Sequence, residues 1–348
     1  MGGHALNKVI TRRYDKMEYD SLSVKMRAHL YKLFEGRRVH VVRSYHNKES
    51  HGDMDIMLCN DGTLGNIRDR IVEYFKPGQI VCNGNVYSFD YKELQIDVIP
   101  TSPNNWDAAV TFFDYDPSGN LMGKIAHKFG LKYGFTGLVY PYRDAQGVEF
   151  ADIKVSTNDV KIFDFLGLDY NRYACGFNTM QEIFDYIAGS KYFDPQNFMM
   201  ENLNHIDKKR NRKRPSYRGF LEYINAEVKV GRQWRYTFRE NKETYLPVIS
   251  ETFPEADIYG EIKKCKDAEE RRRVIAGKFN GDMVIAMFSE LSREKLGEYI
   301  SGFRQHITQV QRTLGLEGTD RQLFNDYVYN CSQELIEKDM REYRYPLY

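Results

Sequence analysis

Two short stretches of this sequence read as core strands, yet both carry carboxylates. The first is Asp53-Met54-Asp55-Ile56-Met57-Leu58 and the second is Leu94-Gln95-Ile96-Asp97-Val98-Ile99. Residues two apart in a strand point to one face, so Asp53 and Asp55 present their charges side by side. Like charges that close resist joint ionisation unless a cation lies between them. Asp97, flanked by apolar residues, also needs a partner. If the two strands are neighbours, the three carboxylates meet at one point. Hard oxygen donors in that arrangement suit Mg2+ or Mn2+, and two such ions can clamp the attacking and leaving oxygens of a phosphoryl displacement. A bare Asp-x-Asp matches by chance. The ordered set is more restrictive: a strand, a polar turn, Gly-Asp-x-Asp, a helix, then an apolar strand with one acid.

The flanking pattern supplies a frame for these strands. Residues 21–35 read as an amphipathic helix that places Leu22, Met26, Leu30, Leu33 and Phe34 on one face. Residues 38–43 read as a strand and 45–52 as a turn. Thr63 is expected to cap a helix through Leu64, Ile67, Ile71 and Phe75, which Pro77-Gly78 stops. A hairpin over 86–99 completes a mixed α+β sheet with helices on one face. Residues 101–175 read as a second small unit, with a helix over 121–129, strands near 135–140 and 150–155, and a helix after Thr157 that turns Val160, Phe163 and Leu166 inward. Beyond Cys175, helical periodicity dominates. It opens on a capping box at Thr179-Met180-Gln181-Glu182 and includes a face of Leu296, Tyr299, Ile300, Phe303 and Ile307. The expected division is 1–100, 101–175 and 176–348.

With 50 basic and 49 acidic side chains the net charge is +1, so a nucleic-acid footprint has to be local. One such patch exists: Lys208, Lys209, Arg210, Arg212, Lys213, Arg214 and Arg218 fall within eleven residues that contain no acid. A solvated helix end gives the same letters, but beside a phosphoryl-transfer centre contact with a phosphate backbone is the more attractive reading. The five cysteines are scattered without a Cys-x-x-Cys pair, which argues against a thiolate zinc site and for a reducing, intracellular setting. No apolar run suits a membrane span, and residues 1–6 lack an apolar leader, so a cytoplasmic protein without membrane contact is expected. Neither a Walker loop nor a Gly-x-Ser-x-Gly elbow is present, which leaves no case for a P-loop kinase or a serine hydrolase.

The ordered carboxylates resemble those of the DNA polymerase beta superfamily, most closely the palm and thumb of its family X polymerases. His51 to Leu58 looks like the family's Gly-Asp-x-Asp strand, and Gln95 to Pro100 like its third-carboxylate strand. Phe112-Phe113 sits where the family carries an aromatic pair against the incoming sugar. Met122 to Gly130, Tyr133-Gly134-Phe135-Thr136 and Asp159 to Leu168 are similar to segments that follow it. The likeness spans about residues 20–172. It implies that Asp53 and Asp55 hold both metal ions. Asp97 would help hold one ion and draw the proton from a primer 3′-hydroxyl. It also implies nucleotide contacts at Ser44, Lys48, Gly52, Phe112, Phe113 and Asn120. Arg43 stands where the family has the glycine of Gly-Ser, and Ser118-Gly119 reverses the later Gly-Ser. The segment ahead of the palm is too short for the family's lyase region. In the second half, Lys278 to Asp282 and Leu296 to Ile300 faintly resemble CCA- and poly(A)-adding enzymes.

The resemblance therefore implies an enzyme of the EC 2.7.7 type. Such an enzyme transfers a nucleoside monophosphate from an NTP or dNTP to a DNA or RNA 3′ end, as a family X polymerase or an RNA 3′-end transferase does. The same carboxylates also serve transfer to a small molecule or a protein side chain. A catalytically inactive nucleic-acid-binding module is the reading from outside enzymology. Retention of all three carboxylates argues against it.

Overall fold

The computed structural model describes residues 5–343; residues 1–4, part of the start read above as leaderless, and 344–348 lie outside it. The protein mixes helix (54%) and strand (15%) around a mixed sheet, which fits the α+β expectation. Contacts group it into two compact units. One comprises residues 1–141 and 152–259, the other 142–151 and 260–348. The contact boundary thus falls after Tyr259, although the sequence turns helical near residue 175, because the helices over 176–259 pack within the first unit.

The first unit opens with β1 (Tyr14–Asp15), α1 (Lys16–Leu33), β2 (Val39–Val41), β3 (Ser50–His51) and β4 (Asp53–Cys59). Next come α2 (Ile67–Phe75), β5 (Ile80–Asn83), β6 (Val86–Tyr91) and β7 (Leu94–Thr101). Helix α1 begins earlier than its apolar face suggests, because Asp15 and Glu18 form a reciprocal capping box at its start. Asn66, not Thr63, caps α2 by accepting from the Asp69 amide. The short strand β5 was not among the strands read from the sequence, whose hairpin began at Val86.

The main sheet has the order β2-β4-β7-β6-β5, with β4 and β7 parallel and the other pairs antiparallel. Its two faces divide by the alternation of strand residues. Met54, Ile56 and Leu58 of β4 and Leu94, Ile96 and Val98 of β7 pack with Leu22, Met26 and Leu30 of α1 and Ile67 and Ile71 of α2. On the opposite face Met57 and Cys59 meet Trp106 and Ala109 of α3 (Trp106–Phe113). Helices therefore cover both faces, where the sequence suggested one. Helix α3 covers only the far end of the second face, and the near end, which carries Asp53 and Asp55, stays open for a site.

Beyond α3 lie α4 (Ser118–Lys128), β8 (Lys132–Gly134), β9 (Gly137–Arg143), β10 (Glu149–Ser156), α5 (Asp159–Phe165) and α6 (Tyr170–Ala174). The order β10-β9-β8 makes a second, three-stranded sheet. Phe163 and Leu166 are buried as expected, but Val160 is 58% exposed, because it sits at the start of α5 on the solvent side. The unit continues through α7 (Met180–Ala188), α8 (His205–Asn211), α9 (Pro215–Lys229) and α10 (Leu246–Thr252). Thr179 caps α7, but the Glu182 carboxylate takes the Asn178 amide at 3.0 Å rather than closing a box on Thr179. Tyr217, Tyr223 and Trp234 are packed in or against this interior, with the Tyr217 hydroxyl donating to the Phe198 carbonyl and Trp234 Nε1 to that of Ala188.

The second unit comprises α11 (Ile258–Lys278), apart from its first two residues, with α12 (Gly281–Met287), α13 (Arg293–Thr313), α14 (Asp320–Asn330) and α15 (Gln333–Glu342). Leu296, Tyr299, Phe303 and Ile307 of α13 meet Phe324, Tyr327 and Val328 of α14, which is the face the periodicity picked out. Asn280 caps α12 by accepting from Met283, so the Lys278 to Asp282 letters serve a helix start. Residues 142–151 join this unit, with Tyr142 and the Ala145 amide donating to the Glu269 carboxylate. No helix among the described residues is long and apolar enough to cross a membrane.

Candidate metal centre

The parallel pairing of β4 with β7 sets Asp53 opposite Gln95 and Asp55 opposite Asp97. Asp53, Asp55 and Asp97 all occupy the face that α3 leaves open. Each offers an oxygen, and these oxygens lie within 4.8 Å of one another. Such a cluster can hold a metal ion, and its all-carboxylate character selects a hard cation.

The electrostatics fit that use. Burial, then the charges of Asp53, Asp97 and Asp116, push the Asp55 carboxyl up to about 8, and Lys48 pulls it back only in part. Burial also raises Asp97, against hydrogen bonds from Ser88 and Gln95. Ser88 faces Asp97 from β6. Gln95, one strand turn before Asp97 on the same face, donates Nε2 to both of its carboxylate oxygens at 2.9 and 3.0 Å, and its own Oε1 accepts the Ala5 amide at 3.0 Å. The mutual repulsion and burial that oppose ionisation of these carboxylates are relieved by a cation, so the residues present fit a divalent ion.

Gln95 aims Asp97, and period two alone could have singled it out. Gln95→Leu is expected to weaken Mn2+ binding by roughly 10- to 100-fold, the usual effect of losing a hydrogen bond behind a metal ligand. Calorimetric titration of Mn2+ into wild type and variant measures this; equal affinities would remove Gln95 from the site.

A cleft of about 410 Å3 opens over the carboxylates, and its lining includes Ser44, Lys48, Asp53, Asp55 and Phe113. Three of the sequence-derived nucleotide contacts thus share one cleft with two of the acids. The turn that carries Lys48 is held from outside, since the His46 and Asn47 amides donate to the carbonyls of Phe177 and Asn178. The others stand elsewhere. Gly52 links β3 to β4 and does not line the cleft. Phe112 packs edge-on against Phe113 and Tyr133. Its carbonyl approaches Gly119 so closely that a Cβ there would lie 2.2 Å away, so the Ser118-Gly119 order serves packing of α4 on α3. Asn120 is turned to Asn211, whose Oδ1 accepts from its Nδ2 at 3.5 Å.

Arg43 has a structural role of its own. Fully buried Asp114 accepts its backbone N–H and its Nε, both at 2.7 Å, and also pairs with His40 Nε2. The guanidinium lies 4.9 Å over the Tyr115 ring and lines the cleft. Asp114, Asp116 and Tyr19 were missed in sequence. Asp116 lines the cleft and accepts from Ser216 at 3.3 Å, and only the fold brings it there. Tyr19 stacks on His51 with ring centres 3.7 Å apart. Burial holds His51 down at about 4, so it is neutral near pH 7.

The basic run turns the corner from α8 to α9. Lys209, Arg210, Arg212, Lys213 and Arg218 are exposed, while Lys208 and Arg214 are half-buried. None of the seven pairs with a described carboxylate; Lys208 donates instead to the Glu201 carbonyl at 2.9 Å. Pro215, Ser216 and Gly219, in the same stretch, line the cleft.

Compared with known proteins, the chain matches no protein-family model and no curated sequence.

Proposed function

We propose that the chain is a metal-dependent nucleotidyltransferase, built on a polymerase-beta-like palm with a small thumb-like unit and a helical C-terminal part. It transfers a nucleoside monophosphate from an NTP or dNTP to a nucleic-acid 3′-hydroxyl. The observation that carries this reading is the β4–β7 register, which gathers Asp53, Asp55 and Asp97 on one open sheet face. Bound to these carboxylates, two Mg2+ or Mn2+ ions would supply the charge neutralisation that in-line phosphoryl transfer needs.

The chain's own groups do the rest. Asp97 accepts the proton of the acceptor hydroxyl. The acceptor oxygen forms a bond to the α-phosphorus, the bond from that phosphorus to the bridging oxygen breaks, and pyrophosphate leaves. Ser44, Lys48 and Arg43 offer donors to the triphosphate, and Phe113 offers an apolar surface to the sugar. The cations of 208–218, none in an ion pair with a described carboxylate, continue from the cleft lining and suit a phosphate backbone.

A second reading draws on the cleft's size. At about 410 Å3, with Met180 and Phe184 of α7 on one wall, it also suits a small-molecule or protein side-chain acceptor.

Primer extension separates these readings. Purified protein is incubated with Mg2+ or Mn2+, each NTP and dNTP, and labelled DNA and RNA ends, single-stranded and gapped. Added nucleotides on one class of end are the expected outcome. No extension on any end, from folded protein that binds Mn2+, would remove the polymeric acceptor.

A further inference from the structure

A second cavity, of about 790 Å3, lies beside the β2 edge of the main sheet, and its lining includes residues of α1, β2, α3, α5 and α6. Among the described residues β2 pairs with β4 alone, which makes it an edge strand of the sheet. Three kinds of chemistry meet in the cavity. Arg27 and Arg38 both line it, and neither forms an ion pair with a described residue. The Arg38 guanidinium carbon lies 4.9 Å from the centre of the Trp106 ring, a cation–aromatic contact at the cavity wall, and Tyr31 and Tyr170 add aromatic rings. Asp159 contributes the third kind. It is 9% exposed, Thr111 donates to its Oδ2 at 2.5 Å, and its buried Oδ1 meets no donor among the described residues. A buried acceptor left without a donor is unfavourable, and a ligand N–H relieves it.

We infer that this cavity is a second nucleotide site, which takes a nucleoside phosphate either free or as one unit of a strand. Each part of such a ligand has a counterpart here. The phosphate meets the guanidinium groups, the flat base meets Arg38 and the tyrosines, and a base N–H meets Asp159. A free amino acid satisfies the opposite charges but leaves most of the volume and the rings unused. Arg43 lines this cavity as well as the cleft, so a ligand held here adjoins the wall of the metal centre. The inference stands on these residues and not on the reaction proposed above.

Calorimetric titration of the full chain in EDTA tests it, with AMP, GMP, ribose 5-phosphate and a short single-stranded oligonucleotide as probes. The expected result is that AMP, GMP or the oligonucleotide binds at least about tenfold more tightly than ribose 5-phosphate, which has no base. The double change Arg27→Ala/Arg38→Ala weakens that binding by about tenfold or more. Asp159→Asn, which can set an amide donor where the free acceptor stood, weakens nucleotides but not ribose 5-phosphate, with an unchanged melting temperature. Asp55→Asn leaves binding as it is, which separates this cavity from the cleft. Tighter binding of the mononucleotides identifies a free ligand, and tighter binding of the oligonucleotide identifies a strand. Failure of every nucleotide probe to bind, affinity equal to that of ribose 5-phosphate, or binding that the arginine variants leave unchanged overturns the inference.

Discussion

If the chain carries out the proposed nucleotidyl transfer, Asp97→Asn is expected to lower its rate by about 10^3-fold or more, with the protein still folded and the nucleotide KM changed little. The size follows from two losses at one atom. An amide cannot take the proton of the acceptor hydroxyl, and removing a positioned base typically costs about 10^2- to 10^4-fold. It also withdraws one of the three carboxylates from the candidate ion site, leaving Asp53 and Asp55. Folding should survive, because Asn keeps an oxygen for Gln95 Nε2 and relieves the burial and repulsion that raise Asp97. Single-turnover extension, with melting temperatures for both proteins, measures this. A variant within tenfold of wild type would place the proton acceptor elsewhere.

Much of this centre is legible in the sequence because it is built from strand periodicity. Asp53 and Asp55 share a face for the same reason that Met54 and Ile56 share the other, and Asp97 stands out against Ile96 and Val98. What sequence leaves open is the neighbour relation. Whether β7 lies beside β4 or one strand away depends on β5 and β6 forming a hairpin that lets β7 return parallel to β4. The groups around the acids were harder still. Asp114 and Asp116 follow the aromatic pair in a segment with no strand or helix signal, and reach Arg43 and the cleft only once α3 has folded across the sheet. Caps misled for a local reason. Thr63 and Asn66 are both good N-cap residues three positions apart, and Thr63 is instead bound to Asp61 by its hydroxyl and amide. Val160 misled because helical spacing gives the face but not which side of a short helix meets solvent.

The metal-free protein is expected to lose stability as pH rises from 6.5 to 8, and Mn2+ to reverse the trend. Asp55 is the reason. Its carboxyl is held up at about 8 in the folded chain, against an ordinary value of 3.8 in the unfolded one. Between those values the folded state carries a proton that the unfolded state does not, so raising the pH favours unfolding. Asp97, raised as well, acts with the same sign. Below pH 6.5 other groups interfere. His51 and His127, both held down at about 4, add stability as pH rises towards 6.5, while Asp159, raised to about 6, removes it. The two histidines, with an ordinary value of 6.5 in the unfolded chain, still offset part of the Asp55 effect up to about pH 7.5, and above that Asp55 and Asp97 set the slope. A divalent ion binds the deprotonated cluster, so its affinity should rise by up to about tenfold per pH unit towards pH 8, with release of about one proton. Asp55→Asn should flatten the pH slope in EDTA and raise the melting temperature there, at roughly 2–4 °C per kcal/mol for a sizeable domain. It should also abolish the gain from Mn2+. Thermal melts at pH 6.5, 7.2 and 8.0, with EDTA or Mn2+, read all three effects. A wild-type melt that is flat in EDTA, or an Mn2+ affinity that is constant across this range, would mean that Asp55 is already ionised without a metal. The crowding of carboxylates would then no longer be a reason to place a cation between them.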